Sequence, residues 1–338
     1  MAARKPVNQQ DLDQKLRPAT LSEIIGQEQI KDSLIVFIKA ASMEGRTVDH
    51  IMLRGGPGLG KTTFALAIAN DLNRRLLVRT GPSLTPDAIY DIFGVGSPDL
   101  VGIQAILAKV EKRPLPEDIV LFVDEVHGLP KESYELLYPL LEDFRMGDEK
   151  VPPFTMIGAT TDPGKLPAPL RDRFSIQYTI EFYSIDDIMK ILTRSLKVLQ
   201  PGYDYDVEAM VGIAERSRGT PRIANNLLKR SVDFMIVNKE RKLKKSAVAM
   251  AMRALGIDAW GLTELDRRIL VTLHKRFSRA VGVSAIAAAL GEDLFTVEFV
   301  QEPWLVREGF IDRTPRGRLL TAKGRTAAEL ISEGNIPY

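Results

Sequence analysis

The chain has 338 residues and a formal net charge of +2, and 45% of its residues are hydrophobic. This length predicts two or three domains, and the composition is ordinary for a globular protein. Since the chain contains no cysteine, disulfides, thiolate metal sites and cysteine nucleophiles are excluded. No segment reaches the roughly 20 apolar residues of a membrane helix, and residues 1–14 lack the apolar core of a secretory signal. We therefore expect a cytoplasmic protein without a membrane segment.

The first half of the chain alternates short apolar runs with helical patterns. Residues 50–53 lead into a glycine-rich turn, and residues 62–72 follow with helical spacing. Two further continuous apolar runs, 119–123 and 154–159, are each followed by polar residues. Continuous rather than alternating apolar strands are typical of a parallel sheet that helices cover on both faces. This half therefore predicts an α/β fold with a doubly wound parallel sheet.

The second half predicts helices in place of strands. After Phe182, helical spacing recurs in four segments, residues 186–199, 206–216, 222–239 and 245–255. These segments predict a small all-helical domain. Three more helices are expected over residues 264–276, 284–290 and 296–308, followed by two short strands around residues 315–317. Three helices and a hairpin form the winged-helix pattern. The expected domains are residues 1–181, 182–256 and 257–338.

A glycine-rich motif lies between the first predicted strand and the helix that follows it. Residues 55–62 are Gly-Gly-Pro-Gly-Leu-Gly-Lys-Thr, which matches the phosphate-binding P-loop. Its glycines allow backbone N–H groups to converge on phosphate oxygens. Lys61 is expected to neutralise phosphate charge, and Thr62 is expected to bind Mg²⁺ beside ATP. The predicted phosphate-binding residues are Gly58, Gly60, Lys61, Thr62 and Thr63.

An acidic pair, Asp124 and Glu125, closes the apolar run 119–123. A carboxylate at the carboxyl end of a parallel strand faces the crevice in which open α/β sheets bind ligands. Such a pair is often an ordinary turn, but its position about sixty residues after a P-loop favours a catalytic interpretation. We expect Asp124 to hold Mg²⁺ and Glu125 to polarise the attacking water.

Phosphoryl transfer also requires a group that orients the water and a cation that meets the developing charge. Thr160 and Thr161 end the run 154–159, so a hydroxyl there could reach the γ-phosphate. Arg171 and Arg173 flank Asp172 on a short segment, where spacing alone leaves a surface helix equally acceptable. Arg222 begins a predicted helix, and its sequence context alone likewise fits either a surface position or a functional role.

Nine segments of the chain together resemble one family. In order they are Leu16-Arg17-Pro18, Ile25-Gly26-Gln27, the P-loop, Asp124-Glu125-Val126-His127, Glu142-Asp143-Phe144, Gly158-Ala159-Thr160-Thr161, Leu170-Arg171-Asp172-Arg173-Phe174, Ser217-Arg218-Gly219-Thr220-Pro221-Arg222 and Arg313-Thr314-Pro315-Arg316-Gly317-Arg318. This series is similar to the RuvB family of Holliday-junction branch-migration motors, which are AAA+ ATPases. The resemblance extends from residue 16 to residue 326.

The resemblance implies a role for each matching residue. RuvB works as a homo-hexamer with ATP between subunits, so Arg173 is implied to be an arginine finger that reaches the γ-phosphate of the neighbouring subunit. Thr161 is implied to be the sensor-1 residue and Arg222 the sensor-2 residue of a helical lid. The residues implied to line the nucleotide pocket are Leu16, Arg17, Glu142, Asp143, Phe144, Arg171 and Tyr183.

Three arginines of the predicted wing, Arg313, Arg316 and Arg318, are expected at its tip. Arginines on a hairpin tip suit contacts with DNA phosphates, which supply affinity without sequence preference. The two tryptophans, Trp260 and Trp304, have apolar neighbours and are expected to be core or linker packing residues rather than base-stacking platforms.

One segment departs from the family pattern. In RuvB a long hairpin between the Glu-Asp-aromatic and Pro-Pro-Phe motifs docks the junction-binding partner RuvA. Here seven residues, 145–151, separate Phe144 from Pro152. They are too few for that hairpin and its strands, so the sequence places conventional docking of a RuvA-type partner in doubt.

These features favour an ATP-driven motor that migrates Holliday junctions. A clamp-loader-like switch, which binds DNA and a partner without translocating, shares the same hydrolysis residues and stays open as the alternative. A polypeptide-threading remodeller is disfavoured, since the expected pore region has no aromatic-hydrophobic-Gly loop. The retained residues Glu125 and Arg173 disfavour a regulator that binds nucleotide without turnover.

Overall fold

The computed structural model describes residues 14–94 and 119–336. Residues 1–13, on which most of the expectation about a secretory signal rests, lie outside the described residues. The chain divides into two compact units, Met1–Glu181 and Phe182–Tyr338. The predicted boundary between the helical lid and the winged helix falls inside the second unit and stays a prediction.

The first unit is built on a parallel sheet. The strands of the unit, within its described residues, are β1 (Ile51–Arg54), β2 (Arg75–Thr80), β3 (Ile119–Asp124), β4 (Arg145–Met146), β5 (Glu149–Lys150), β6 (Thr155–Thr160) and β7 (Ile176–Thr179). Five of them form one sheet in the order β2-β3-β6-β1-β7, with parallel pairing throughout. The other two, β4 and β5, form a short antiparallel hairpin.

Helices surround this sheet. They are α1 (Glu28–Glu44), α2 (Lys61–Asp71), α3 (Pro86–Phe93), α4 (Lys131–Glu142) and α5 (Ala168–Asp172). The central strands β3 and β6 are buried almost throughout, on both faces, which is the burial that continuous apolar runs predict. The predicted α/β class and parallel sheet are confirmed. Since β1 ends beside β6, the P-loop after β1 and the polar residues after β3 and β6 meet at one edge of the sheet.

The second unit begins with four helices. They are α6 (Ile185–Leu199), α7 (Val207–Arg216), α8 (Pro221–Val237) and α9 (Lys245–Ala254), and they lie within a few residues of the predicted segments. The expectation that strands stop after Phe182 is wrong. Two-residue strands β8 (Asp204–Tyr205) and β9 (Lys242–Leu243) pair in parallel and tie the chain before α7 to the chain before α9. They are too short to show an apolar pattern.

A winged helix completes the second unit. Its helices are α10 (Glu264–Arg276), α11 (Val283–Leu290), α12 (Glu302–Arg307) and α13 (Ala322–Ser332), and its hairpin is β10 (Ile311–Thr314) with β11 (Gly317–Leu320). The chain before α12 is a π-helix, Thr296–Gln301, where one continuous helix was expected. Pro303 explains the interruption, because a proline ring collides with the carbonyl four residues earlier and offers no N–H to it.

The interior of the winged helix forms around one tryptophan. Trp304 is 3% exposed and packs with Leu270, Leu305 and Phe310, and Trp260 packs against the same cluster. The predicted packing role of both tryptophans is confirmed, with Trp304 buried and Trp260 half-buried. Within the part of the chain that the structure describes, every helix is too short or too polar to span a bilayer.

Candidate functional site

The P-loop depends on glycines with unusual backbone angles. Gly55, Gly58 and Gly60 have φ values of +147°, +78° and +106°, which residues with a Cβ rarely adopt. A Cβ on Gly55 would lie 2.7 Å from the carbonyl oxygen of Ile180, so a side chain cannot fit there. Gly60 is the N-cap of α2. The loop therefore delivers the amino end of a buried helix to the edge of the sheet.

Lys61 begins α2 and is only 7% exposed. Its Nζ donates hydrogen bonds to the carbonyl oxygens of Gly55 at 2.8 Å and Gly56 at 3.0 Å. Thr62 and Thr63 follow in the first turn and are half-buried. That turn contains no acidic residue, although carboxylates are favoured at the positive end of a helix. A buried ammonium group and an unneutralised helix dipole together make this end of α2 suited to an anion.

Asp124 and Glu125 lie at the carboxyl end of β3, which β6 separates from the P-loop strand β1. The Oδ1 of Asp124 accepts a hydrogen bond from the N–H of Glu125 at 3.1 Å. Glu125 has a left-handed backbone, with φ +50°. The backbone of Gly81 packs against it so closely that a Cβ on Gly81 would lie 2.2 Å from the Glu125 carbonyl oxygen. The segment after β2 thus holds the acidic pair in a conformation that is uncommon for a residue with a side chain.

The carboxylate of Glu125 is held by residues that follow β3 and β6. Its Oε2 accepts hydrogen bonds from Thr161 Oγ1 at 3.0 Å and from Thr161 N at 3.3 Å. The Nδ1 of His127 lies 3.3 Å from the same oxygen and 2.9 Å from Thr160 Oγ1. The structure therefore brings two of the predicted site residues, Glu125 and Thr161, into contact. No role was predicted for His127, although its place two residues after the acidic pair was a signal.

Arg173 follows α5 and pairs with Glu142, the last residue of α4. The Nη2 of Arg173 lies 2.5 Å from Glu142 Oε2, and the side chains are 32% and 53% exposed. Asp143 and Phe144 come next, and the ring of Phe144 packs edge-on against His50 and Phe154 at centroid distances of 6.0 Å and 5.8 Å. Glu142, expected in the nucleotide pocket, therefore contacts the predicted finger. Arg171 lies on α5.

The amino-terminal motifs pack onto the sheet and α2. Gln27 donates from Nε2 to the Glu181 carbonyl at 2.8 Å and accepts at Oε1 from the Glu181 N–H at 3.3 Å. Asn70 donates to the carbonyl oxygen of Ala19 at 2.7 Å. Leu16 is buried, and Arg17 follows it. These contacts fix the segment that carries both predicted pocket residues.

Tyr183 and Arg222 belong to the second unit and lie at one turn of it. The N–H of Tyr183 donates to the carbonyl oxygen of Gly219 at 2.9 Å, and burial raises the pKa of the Tyr183 phenol. Arg222 is exposed in the first turn of α8. A cation is unfavourable at the positive end of a helix, so the position of Arg222 indicates a functional role.

The three wing arginines differ in exposure. The turn of the hairpin is Pro315 and Arg316, both exposed, and Arg313 on β10 is 62% exposed. Arg318 lies on β11 and is 12% exposed, with Nε 2.8 Å from Glu302 Oε2 and Nη2 3.4 Å from Glu298 Oε1. The expected place of Arg318 at the tip is therefore wrong. It is directly opposite Arg313 in the ladder, and two like charges there are tolerated because carboxylates lie beside them.

The parallel sheet, the P-loop and the acidic pair of β3 define a P-loop ATPase that binds nucleotide. Three family models match consecutive parts of the chain. They are the Holliday junction DNA helicase RuvB P-loop domain over residues 16–180, the RuvB AAA lid domain over residues 183–258 and the RuvB C-terminal winged helix domain over residues 259–329. The chain belongs to the RuvB family.

Individual relatives agree with this membership. The Holliday junction branch migration complex subunit RuvB of Salinibacter ruber is 41% identical over 322 residues, which is 91% of this chain and 88% of the relative. The RuvB Holliday junction branch migration motor of Thermotoga maritima is 39% identical with a TM-score of 0.78, over 93% of this chain and 98% of that one. A variant of the same Thermotoga protein is 38% identical with a TM-score of 0.81, over 94% and 99% of the two chains.

Proposed function

We propose that this protein is an ATP-dependent DNA motor that drives branch migration of Holliday junctions. The observation that carries the proposal is that a complete P-loop site with a fixed Glu125 carboxylate occurs in one chain with a winged helix. Family membership supports the motor over a clamp-loader-like switch, because the related RuvB proteins are described as branch migration proteins.

The residues at the edge of the sheet fit ATP and Mg²⁺. Lys61 is buried with its ammonium group on the P-loop carbonyls, where it can move a short distance to phosphate oxygens. The Thr62 hydroxyl and the Asp124 carboxylate are oxygen donors of the kind that Mg²⁺ prefers. Bound Mg²⁺ neutralises phosphate charge during transfer. Backbone N–H groups at Gly58 and Gly60 complete the phosphate-binding loop.

Hydrolysis is assigned to Glu125 and its neighbours. The Glu125 carboxylate polarises the attacking water, and Thr161 and His127 fix the direction in which this carboxylate points. Arg173 supplies positive charge in trans, to the site of the next subunit in a homo-hexamer, with Arg171 nearby. Within its own subunit Arg173 is neutralised by Glu142. We therefore expect hydrolysis to require assembly. The nucleotide roles of Leu16, Arg17, Tyr183 and Arg222 stay predictions from the family resemblance.

DNA contact is assigned to the hairpin of the winged helix. Arg316 in the exposed turn and Arg313 beside it are available to phosphates, whereas Arg318 holds the hairpin to Glu302. Phosphate contacts suit a motor that moves along branched or duplex DNA of any sequence. In the first unit, the strands β4 and β5 have two residues each. We infer that this short hairpin does not dock a RuvA-type partner in the conventional way. A cytoplasmic location completes the proposal.

Migration of a synthetic four-way junction tests the function. The purified protein is incubated with the junction, ATP and Mg²⁺, and Glu125→Gln serves as a control that binds nucleotide without turnover. Strand exchange by the wild-type protein alone would establish the motor and its independence of a partner. Hydrolysis that is stimulated by DNA but leaves the junction unmoved, even with a RuvA-type protein added, would overturn the motor in favour of the switch.

A further inference from the structure

Arg218 lies in the turn between α7 and α8, four residues before Arg222. Its backbone is left-handed, with φ +58°, and its side chain is 10% exposed. Both features are costly for an arginine, because the backbone region is strained for residues with a Cβ and a buried guanidinium must be paired. A residue that bears both costs must have its conformation fixed by its surroundings.

The guanidinium of Arg218 is held entirely by the winged helix. It pairs with the carboxylate of Asp266, donates to Gln301 Oε1 at 3.1 Å and to the Gly261 carbonyl at 3.2 Å, and stacks on the ring of Trp304 at 4.1 Å. The partners come from three different segments of the winged helix, one before α10, one in α10 and one around α12. Planar stacking and forked donation are properties of arginine that lysine does not share.

Asp266 depends on this contact. It is 0% exposed, and its Oδ2 also accepts hydrogen bonds from Thr263 N at 2.7 Å and Thr263 Oγ1 at 2.6 Å. The same carboxylate thus caps the first helix of the winged helix and receives Arg218. A buried carboxylate without a cation is strongly unfavourable. The pair with Arg218 therefore stabilises Asp266 in the position from which it caps α10.

The backbone of the same turn contacts the predicted nucleotide-sensing residues. Gly219 accepts the hydrogen bond from Tyr183 N at 2.9 Å, and a Cβ on Gly219 would lie 2.9 Å from the Tyr183 carbonyl oxygen. Thr220 is then the N-cap of α8, whose first turn carries Arg222. One short turn therefore holds Tyr183 and Arg222 through its backbone and the winged helix through one side chain.

We propose that Arg218 is a positioning residue that couples the nucleotide-dependent movement of the lid to the winged helix. The proposal rests on the proposed function, because it assigns the transmission step of the same motor. When the turn shifts with Arg222, the Arg218 side chain moves α10, α12 and Trp304 with it, and these carry the DNA-binding hairpin. Other contacts join the same parts, among them a 3.2 Å bond from Arg216 Nε to the Asp258 carbonyl, a 2.9 Å bond from Arg267 Nη2 to the Gly256 carbonyl and stacking of Arg307 on Phe182. Loss of Arg218 therefore loosens the connection without removing it.

The first experiment separates hydrolysis from movement. Arg218→Met is compared with the double variant Arg218→Met with Asp266→Asn, which leaves no buried charge unpaired and can still cap α10. Arg230→Met is the matched control, since Arg230 is a lid arginine whose partner, Asp233, is on its own helix. For both Arg218 variants we expect junction migration per ATP hydrolysed to fall about tenfold, while DNA-stimulated hydrolysis stays within about twofold of wild type.

The outcomes distinguish coupling from a purely structural role. Unchanged migration per ATP in the double variant would overturn the proposal. So would a parallel loss of hydrolysis, DNA affinity and melting temperature in that variant, because that pattern describes a folding defect. Arg218→Lys should restore part of the migration per ATP, since it keeps the charge on Asp266 without the stacking on Trp304.

A second measurement does not depend on motor activity. The chain has no cysteine, so a pair introduced as Glu208→Cys on α7 and Lys275→Cys on α10 can be spin-labelled without background. We expect a narrow distance distribution with Arg218 and a broader one in the double variant. Equal widths would overturn the proposal. If instead wild-type protein fails to migrate junctions but the widths differ as expected, the motor assignment fails and the positioning role of Arg218 stands.

Discussion

At the residue scale, Glu125 shows how the carboxylate proposed for catalysis is fixed in place. Its left-handed backbone is held by the close approach of Gly81, and its Oε2 is held by Thr161 and His127. Strained conformations of this kind persist where the surroundings determine them completely. The carboxylate therefore has one defined direction before any substrate arrives, which reduces the reorganisation required during hydrolysis.

His127→Ala should lower kcat for ATP hydrolysis about tenfold, because the imidazole Nδ1 lies 3.3 Å from Glu125 Oε2 and a polar contact with a charged group contributes about 1.5 kcal/mol. Nucleotide affinity should be unchanged, since the His127 ring contacts Glu125 and Thr160, whereas the Lys61 ammonium group bonds the P-loop carbonyls. Steady-state hydrolysis and fluorescent-nucleotide titration measure the two quantities. His274→Ala, an exposed histidine of α10, is the control. An unchanged kcat would remove His127 from the site.

Arg316→Ala should weaken DNA binding equally on all sequences, because its exposed position in the hairpin turn suits a phosphate contact. The slope of log affinity against log salt should fall by about 1. Fluorescence anisotropy on several duplexes across a salt series measures both. Arg318→Ala is the comparison variant. It removes the 2.8 Å pair with the buried Glu302 and leaves only the more distant Arg313 beside that carboxylate, so it should lower the melting temperature. A loss of DNA affinity in Arg316→Ala that is confined to certain DNA sequences would contradict a phosphate contact.

At the scale of secondary-structure elements, the winged helix is adapted around two unusual positions. Pro303 interrupts the helical hydrogen bonds, and a π-helix precedes α12. Gly324 in the first turn of α13 lies so close to the loop before β10 that a Cβ would be 2.0 Å from the Phe310 carbonyl oxygen. Thr321 caps α13 by accepting a hydrogen bond from Gly324 N at 3.0 Å. Close packing of α13 therefore requires glycine.

Gly324→Ala should destabilise the winged helix by about 1–3 kcal/mol, the usual cost of forced overlap in a packed interior. The direction is informative, since alanine normally stabilises a helix over glycine by about 0.5–1 kcal/mol. Gly282→Ala is the matched control, because no atom lies within 4 Å of its added Cβ. Urea unfolding of both variants compares them. A free energy of unfolding of Gly324→Ala equal to or greater than that of the wild-type protein would contradict the close packing of Gly324 against Phe310.

The sequence predicts some of these elements well and others poorly, for physical reasons. Runs 119–123 and 154–159 predict strands because both of their faces are buried, so local composition carries the signal. The P-loop is equally local. Strands β8 and β9 have two residues each, which is too short for any pattern. Helix α13 was missed because its cap, Thr321, directly follows a strand.

Pairing between distant residues was the least predictable part of the site. Arg173 with Glu142, and Arg318 with Glu298 and Glu302, join positions separated along the chain. The family resemblance assigned Arg173 to nucleotide and the winged-helix context assigned Arg318 to DNA, because a sequence does not show which carboxylate folds against an arginine. His127 was missed for the same reason, since its contact with Thr160 spans two neighbouring strands.

At the scale of the whole molecule, stability should depend on pH through His50. It is 5% exposed, with Nε2 donating to the Leu141 carbonyl at 3.0 Å and Nδ1 accepting from Met156 N at 3.0 Å. Burial lowers the pKa of His50 below its ordinary value of 6.5. The unfolded chain thus binds a proton that the folded chain does not. The stability that His50 contributes is complete above about pH 6.5 and is lost as pH falls below it.

We expect the melting temperature of the wild-type protein to fall between pH 8 and pH 5 more steeply than that of His50→Asn, which has no titrating ring. Differential scanning calorimetry at both pH values measures the slopes. His274→Asn should match the wild-type slope, since this histidine is exposed. Identical slopes for wild type and His50→Asn would contradict a neutral, buried His50.

Assembly can be tested by mixing inactive subunits. Arg173→Ala and Glu125→Gln should each abolish hydrolysis alone, because one lacks the trans cation and the other the carboxylate. In an equal mixture about a quarter of the interfaces combine an intact Glu125 with an intact Arg173 from the neighbour, so activity should reappear. The rate of ATP hydrolysis is measured after mixing and is compared with that of each variant diluted to the same extent with buffer. Absence of recovery, with mixed rings verified by mass spectrometry, would contradict a finger acting in trans.

The pair of Arg173 and Glu142 also bears on reversibility. Ion pairs with side chains as exposed as these contribute only about 0–1 kcal/mol, so exchanging Glu142 for an anion on another molecule is almost neutral in free energy. The pair with Glu142 nonetheless neutralises the charge of Arg173, which disfavours nonspecific binding of nucleic-acid phosphates to this arginine. In the proposed trans mechanism, Arg173 alternates between its own subunit's Glu142 and a neighbour's nucleotide, with little difference in free energy between the two states. Removal of Glu142 should leave the chemistry intact and make inhibition by excess nucleic acid stronger.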